Sequence, residues 1–106
     1  MAGVPSVVPD MVGPIVKPGE PQVYYFPILT TTPTGVLFRG QLPTLLPGLT
    51  LAGRGGPWNV SGATLFSTKV RVRGLPVVMV GAVLTPIADG WSGPVTGPGA
   101  VGLLIG

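Results

Sequence analysis

The chain has 106 residues, of which 45% are hydrophobic, and it carries only six basic and three acidic residues. About a quarter of the residues in a typical soluble domain are charged, so much of this surface is expected to be covered by another protein. There is no Cys and no His, which excludes disulfides, thiol chemistry and Cys/His metal sites. Gly and Pro number 18 and 14, but disorder would also require low hydrophobicity. We therefore expect one folded domain over residues 1–106.

The start of the chain is rich in proline. Four prolines lie four or five residues apart within Met1–Glu20. Proline fixes φ and is excluded from helix interiors, so we predict an extended arm over about residues 1–21. This segment lacks the basic start of a secretory signal. Gln22–Thr32 is rich in aromatic and β-branched residues and is predicted as a strand.

The strongest local pattern lies in Ser67–Leu84. Lys69–Arg73 alternates charged and apolar residues, which is typical of a half-buried strand. Gly74 interrupts the alternation, and Val77–Val80 is a second apolar run. The pattern predicts a strand, a tight turn and a second strand.

This pattern occurs twice. Val36–Pro43 repeats Val70–Pro76 if Gln41 is counted as an insertion, and Leu45–Leu51 parallels Val78–Leu84. A fainter copy starts at Val8. Repetition at such a period predicts stacked or radially arranged units, the alternative being chance reuse of Arg-Gly turns. The motif positions are Arg39, Gly40, Pro43, Arg73, Gly74, Pro76 and Gly81.

The remaining segments contain loops and an apolar end. Ala52–Asn59 is predicted as a flexible loop, and the uncharged tail Trp91–Gly106 is expected to dock in the core or against a partner. No window keeps helical periodicity, so we predict an all-β fold, a small Gly/Pro-rich β-cone or β-barrel-like structure built from hairpin repeats. No uncharged stretch offers about 20 continuous apolar residues for a membrane helix. Candidate partner contacts are Trp58, Trp91, Leu103, Leu104 and Ile105; the two tryptophans could equally be packing residues.

Few residues could perform chemistry. Asp10, Glu20 and Asp89 are far apart in sequence, and there is no His to act as a base. No glycine-rich segment has the spacing of a phosphate-binding loop. We expect a protein that is not an enzyme, with no catalytic residue, cofactor or metal site. Lys69–Arg73 would supply about three phosphate contacts and only weak salt-dependent binding, so nucleic acid is not an expected partner.

Ser67–Gly81 resembles the signature phrase of PAAR-repeat and PAAR-like proteins, in which a small polar residue precedes a strand, a Gly turn, a Pro, an apolar strand and a Gly. Val36–Leu51 matches it loosely. The resemblance implies a pseudo-threefold β-cone that caps the trimeric β-helical spike of a phage tail or related injection system. Ala82 stands where the family commonly has Asp, and this chain lacks the His and Cys that hold the family's metal, so no metal ligand is carried over.

The resemblance also implies a location and partners. It predicts a structural component of a virion or secreted injection apparatus that is assembled in the bacterial cytoplasm. Its partners would be a trimeric β-helical spike and, transiently, the target membrane. The alternative is another virion subunit, such as a capsid-decorating or tail-connector β-barrel that forms homo-oligomers.

Overall fold

The computed structural model describes residues 3–31, 33–46 and 48–105. These consist of strands, bridges, turns and irregular connections, with one three-residue 3-10 segment. The prediction of an all-β fold is confirmed. Met1, Ala2, Thr32, Pro47 and Gly106 lie outside the described residues, so what was predicted at these five positions is not assessed. The strands are β1 (Met11–Ile15), β2 (Tyr24–Thr30), β3 (Thr50–Gly53), β4 (Gly56–Asn59), β5 (Phe66–Val72), β6 (Leu75–Val78), β7 (Val83–Ile87) and β8 (Trp91–Gly97).

Six strands form one antiparallel sheet in the order β4-β3-β2-β1-β8-β7. The chain beyond β4 then turns to the opposite edge of the same sheet. There the Ser61 N–H donates to the Pro86 carbonyl, and the Thr64 N–H donates to the Val83 carbonyl, both at 3.0 Å. The sheet therefore curls into a barrel, which covers edges that would otherwise be open to pairing.

The remaining strands, β5 and β6, form the hairpin predicted from the alternating pattern. Its turn is Arg73-Gly74, with φ values of 51° and 80°. Positive φ at both central residues is typical of the type I′ turn, whose twist matches that of the two strands in a two-residue hairpin. Arg39-Gly40 has the same conformation, with φ values of 54° and 79°, and joins Phe38 to its bridge partner Gln41.

Three chain segments meet in a hydrogen-bonded triangle. The Ser6 N–H donates to the Val78 carbonyl, the Val78 N–H to the Thr44 carbonyl, and the Thr44 N–H to the Ser6 carbonyl, over 2.9 to 3.0 Å. The neighbouring residues form bridges in the same cyclic order: Pro5–Met79, Val7–Pro43 and Leu45–Val77. The backbone thus has a pseudo-threefold axis at this point.

The same symmetry extends into three short hairpins, which we call the arms. The second arm is residues 34–43 and the third is 69–77. In the first arm, residues 101–105 lie against residues 3–5, so its two strands come from opposite ends of the chain. Each arm contains one equivalent bridge: Gly3–Ile105, Phe38–Gln41 and Val72–Leu75. In each of the three copies, the chain passes from an arm to the triangle and then into a barrel strand. The triangle therefore lies between the arms and the barrel.

Two hydrophobic clusters match these two levels. The larger cluster fills the barrel and includes Val12, Leu51 and Leu84. The smaller one lies among the arms, where Phe38, Val72 and Ile105 occupy equivalent positions. The described molecule is elongated, with principal extents of 37 × 26 × 21 Å.

The repeat exists, but its alignment differs from the predicted one. The second and third arms keep a constant separation of 34 residues, so Gln41 matches Leu75 and is not an insertion. The extra residue falls between Leu45 and Gly48, because Gly48 and Gly81, with φ values of 93° and 96°, are 33 residues apart. Pro43 consequently matches Val77 and not Pro76. The first copy enters the triangle at Ser6, so it starts before Val8.

Two segments have a role different from the predicted one, and a third follows one of its two predicted alternatives. The segment predicted as an N-terminal arm contains β1, an interior strand between β2 and β8. The predicted loop Ala52–Asn59 is largely the β3–β4 hairpin, turned at Arg54-Gly55. The apolar tail supplies β8, whose Val95 is 1% exposed, so docking in the core is the alternative that the structure supports for that strand.

Candidate functional site

The exposed surface of the three arms, which we call the arm face, is the candidate functional site. It carries four large apolar residues whose side chains are 42% to 67% exposed: Val36, Leu37, Val101 and Leu104. Leu37 and Leu104 are equivalent under the pseudo-threefold axis, each next to the bridged residue of its arm. Exposed apolar residues that recur around one axis are typical of an interaction surface.

Most of the basic residues also lie on the arms. Arg39, Lys69, Arg71 and Arg73 are all exposed there. Alternation places Lys69 and Arg71 on one face of β5, as the sequence predicted. Arg73 is in the turn that ends this strand.

The two arginines in the turns reach towards neighbouring arms. The Arg73 Nε–H donates to the Thr34 carbonyl of the second arm at 3.0 Å. The Arg39 guanidinium lies close to Gly102 of the first arm, where an added Cβ would be 2.9 Å from Nη2. Arg73 therefore links the third arm to the second by a hydrogen bond, and Arg39 of the second arm lies beside the first arm.

Arg73→Ala is expected to lower the free energy of unfolding by about 1 kcal/mol, because it removes the hydrogen bond to the second arm. Arg73→Gly removes the same bond but relieves the positive φ, which costs a non-glycine residue roughly 1 kcal/mol. The glycine variant should therefore have nearly wild-type stability. Urea unfolding followed by tryptophan fluorescence measures both. Equal stability of the alanine variant and the wild type would show that the contact between the arms contributes nothing.

A buried polar network joins the triangle to the last part of the chain. Asp10 is 2% exposed, and its carboxylate oxygens accept hydrogen bonds from the Ser6 hydroxyl (3.0 Å), the Val7 N–H (3.1 Å) and the Gly99 N–H (3.0 Å). The Ser6 and Thr44 hydroxyl oxygens lie 2.9 Å apart. In the described part of the chain, no buried side-chain nitrogen or oxygen lacks a hydrogen-bond partner. Asp10 is thus a structural residue inside the pseudo-threefold junction.

The two tryptophans predicted as partner contacts pack together inside the barrel. Trp91 is only 8% exposed, so it is not available to a partner, and that prediction is corrected. Its ring centroid lies 5.7 Å from that of Trp58 and 5.2 Å from that of Tyr24. Trp58 is half-buried, also contacts Phe26, and donates its indole N–H to the Arg54 carbonyl at 3.2 Å. The packing alternative therefore applies to both tryptophans.

The other predicted contacts lie on the first arm. Leu104 is 65% exposed and Leu103 is half-buried, while Ile105 packs into the small core. Sequence reasoning missed Val36, Leu37 and Val101. The position of Leu37 in the repeat could have shown that it is exposed. Leu37 and Arg71 each come two residues before an Arg-Gly turn, and the charged Arg71 is expected to face solvent.

The motif residues divide between turns and strands. Arg39-Gly40 and Arg73-Gly74 form the turns of two arms. Pro43 is buried and bridges Val7, whereas Pro76 pairs with Arg71 inside the third arm. Gly81 has a φ of 96° and donates its N–H to the Val95 carbonyl.

The acidic residues are not gathered into a site. Asp10 is in the junction, whereas Glu20 and Asp89 lie in the β1–β2 and β7–β8 connections. Among the described residues, no group of three Asp or Glu side chains could hold a metal ion. The described residues also form no helix that is long and apolar enough to span a membrane.

The fold and its arm face define a small all-β protein with internal threefold symmetry and an amphipathic surface around the axis. Comparison with protein-family models, curated proteins and solved structures finds no match for the chain.

Proposed function

We propose that this chain is a non-enzymatic structural protein that caps the end of a trimeric β-helical spike, in the tail of a phage or a related contractile injection apparatus. One observation carries the proposal: a single chain forms three hydrogen-bonded segments around one axis, with an arm beside each. A cap built this way can present a similar backbone surface to each of three identical chains.

The chemistry of the arm face supports this role. Docking onto a β-helix end would cover Leu37 and Leu104, which are more than half exposed at equivalent positions. It would also explain how a chain with nine charged residues among 106 stays soluble once assembled. The barrel then points away from the spike and would lead towards the target membrane.

A stiff construction suits a part that is pushed through a membrane. The connection between β3 and β4 is only the turn Arg54-Gly55, and that between β7 and β8 is the short 3-10 segment Ala88–Gly90. An aromatic cluster lies inside the barrel, at the starts of β2 and β8. Tight turns and a closed sheet leave few segments that could yield under load. Assembly in the bacterial cytoplasm and delivery in a virion or secreted apparatus follow from this role.

A second candidate is a virion subunit that forms homo-oligomers, such as a capsid-decorating or tail-connector protein. It is favoured by exposed apolar residues on the barrel wall, where Val23, Tyr25 and Leu29 of the β2 region are 48% to 59% exposed. Contacts between copies would bury this wall and leave the arm face open.

Co-expression with the β-helical spike trimer of the same phage or injection apparatus separates the two candidates. We expect a complex with one copy of this chain for every three spike chains, measured by size-exclusion chromatography with light scattering. Trimers or rings of this chain alone would support the homo-oligomer. A persistent monomer that elutes apart from the spike would contradict the cap.

A further inference from the structure

The charged residues are divided unequally between the two ends of the molecule. The arms carry four basic residues and no acidic one, since Asp10, Glu20 and Asp89 all lie elsewhere. The opposite end of the molecule, which we call the barrel end, is formed by the β1–β2, β3–β4 and β7–β8 connections. It carries Lys17, Glu20, Arg54 and Asp89, whose formal charges cancel. An unbalanced basic surface around exposed leucines favours a partner of the opposite charge.

The three arms are similar in backbone but not in chemistry. The position two residues before the turn is Leu37 in the second arm and Arg71 in the third, and the first arm has Leu104 at the matching position. Two residues earlier still, Gly35 and Gly102 match Lys69. Two arms are therefore apolar at these positions, and one is basic.

This inequality limits where a symmetric partner can carry its charges. A homotrimer presents the same groups to all three arms. If one of its carboxylates pairs with Lys69 or Arg71 of the third arm, the two symmetry-related carboxylates lie beside Leu and Gly of the other two arms. Buried there, these unpaired carboxylates would be strongly unfavourable. At the periphery they remain hydrated. The longer side chains of Lys69 and Arg71 can reach carboxylates there, beyond the radius at which the shorter Leu37 and Leu104 make apolar contacts.

We infer that the partner of the arm face is the end of a homotrimer with an apolar centre and a rim of carboxylates, which the third arm engages through Lys69 and Arg71. The inference rests on the proposed function and specifies the chemistry of its binding surface. Association is then strengthened by charge and weakened by salt, because pairs at a hydrated rim are screened.

Carbodiimide cross-linking of the complex with the spike trimer tests this contact directly. The reagent joins an amine to a carboxylate that touches it, and the chain has two lysines, Lys69 on the third arm and Lys17 at the barrel end. Peptide mass spectrometry is expected to find Lys69 joined to an Asp or Glu of the spike and Lys17 not joined to it. Lys69→Arg keeps the charge but should abolish this cross-link without loss of the complex.

Charge reversal supplies the second measurement. Lys69→Glu with Arg71→Glu is expected to raise the Kd for the spike at least about tenfold at 0.05 M NaCl, with a smaller difference at 0.5 M. The matched control, Lys17→Glu with Arg54→Glu at the barrel end, should stay within about twofold of the wild type. Circular dichroism verifies that both double variants keep the β fold.

The possible results separate this inference from the proposed function. A complex that binds equally well after reversal of Lys69 and Arg71 overturns the acidic rim and leaves the cap intact. A complex that cross-links only through Lys17 places the barrel end against the spike and overturns both the rim and the docking of the arm face. Absence of any complex at either salt concentration overturns the cap and the rim together. Cross-linking at Lys69 with the tenfold loss supports both.

Discussion

Asp10→Ala is expected to lower the free energy of unfolding by about 3 kcal/mol. The carboxylate is 2% exposed and accepts hydrogen bonds from Ser6, Val7 and Gly99. A hydrogen bond to a charged group contributes roughly 1.5 to 3 kcal/mol, and a buried donor left without a partner adds a penalty. Relief of the burial of the carboxylate offsets part of this loss. Urea unfolding at neutral pH, followed by tryptophan fluorescence, gives the difference.

The matched control for this substitution is Asp89→Asn in the β7–β8 connection. Asp89 is exposed and has a φ of 62°, a conformation that Asn also tolerates. Its stability should stay within about 0.5 kcal/mol of the wild type, as expected at surface positions. If Asp10→Ala were equally mild, the network at the junction would have no structural importance.

Leu84→Ala is expected to cost about 3 kcal/mol, within the range for leucine to alanine changes in packed cores. Leu84 is 0% exposed in β7, pairs with Gly93 of β8 and bridges Ala63 on its other side. The cavity would therefore open at the place where the sheet curls back on itself. Thermal and urea unfolding measure the loss.

Leu104→Ala is the control of the same chemistry on the arm face. Leu104 is 65% exposed, so its truncation should change stability by less than about 0.5 kcal/mol. Under the proposed function the same variant should bind the spike more weakly. Comparable destabilisation by the two substitutions would mean that Leu104 is covered within the isolated chain.

The hairpin of β5 and β6 could be predicted because its signal is local. The alternation in Lys69–Arg73 reports one buried and one exposed face, and Gly74 permits the positive φ of the turn. The copy at Arg39-Gly40 was recognisable for the same reason. Absence of helical periodicity was sufficient for the fold class.

The rest of the architecture depends on contacts that no local pattern reports. Thr50–Asn59 has weak strand signals because four of its residues are Gly or Pro. It nevertheless forms a hairpin, because β3 pairs with β2 and the chain directly after β4 pairs with β7. The first repeat was misplaced since its arm joins Gly3 to Ile105 across nearly the whole chain. The sequence alignment paired Pro43 with Pro76 because both are prolines, and this pairing placed the insertion at Gln41. In the backbone, Pro43 is equivalent to Val77.

The candidate site likewise contains residues that the sequence indicated and residues that only the three-dimensional arrangement reveals. Conspicuous side chains led the sequence argument to Trp58 and Trp91, which the barrel uses for packing. The exposed apolar residues of the arms are ordinary Val and Leu, and only their recurrence around the axis distinguishes them. Leu104 alone was anticipated among those that are more than half exposed there.

The pairing of Gly3 with Ile105 makes the order of connection arbitrary. The backbone completes a cycle of three units. The N–H and carbonyl of Gly3 and Ile105 bond reciprocally at 2.8 Å, as those of Phe38 and Gln41 do in the second arm at 2.7 and 3.0 Å. A circularly permuted chain, joined between these residues by a short linker and reopened at Arg73-Gly74, would retain every strand pairing. Retention of the β fold by such a permuted chain would show that the cycle of three paired units, and not the order in which they are joined, determines the structure.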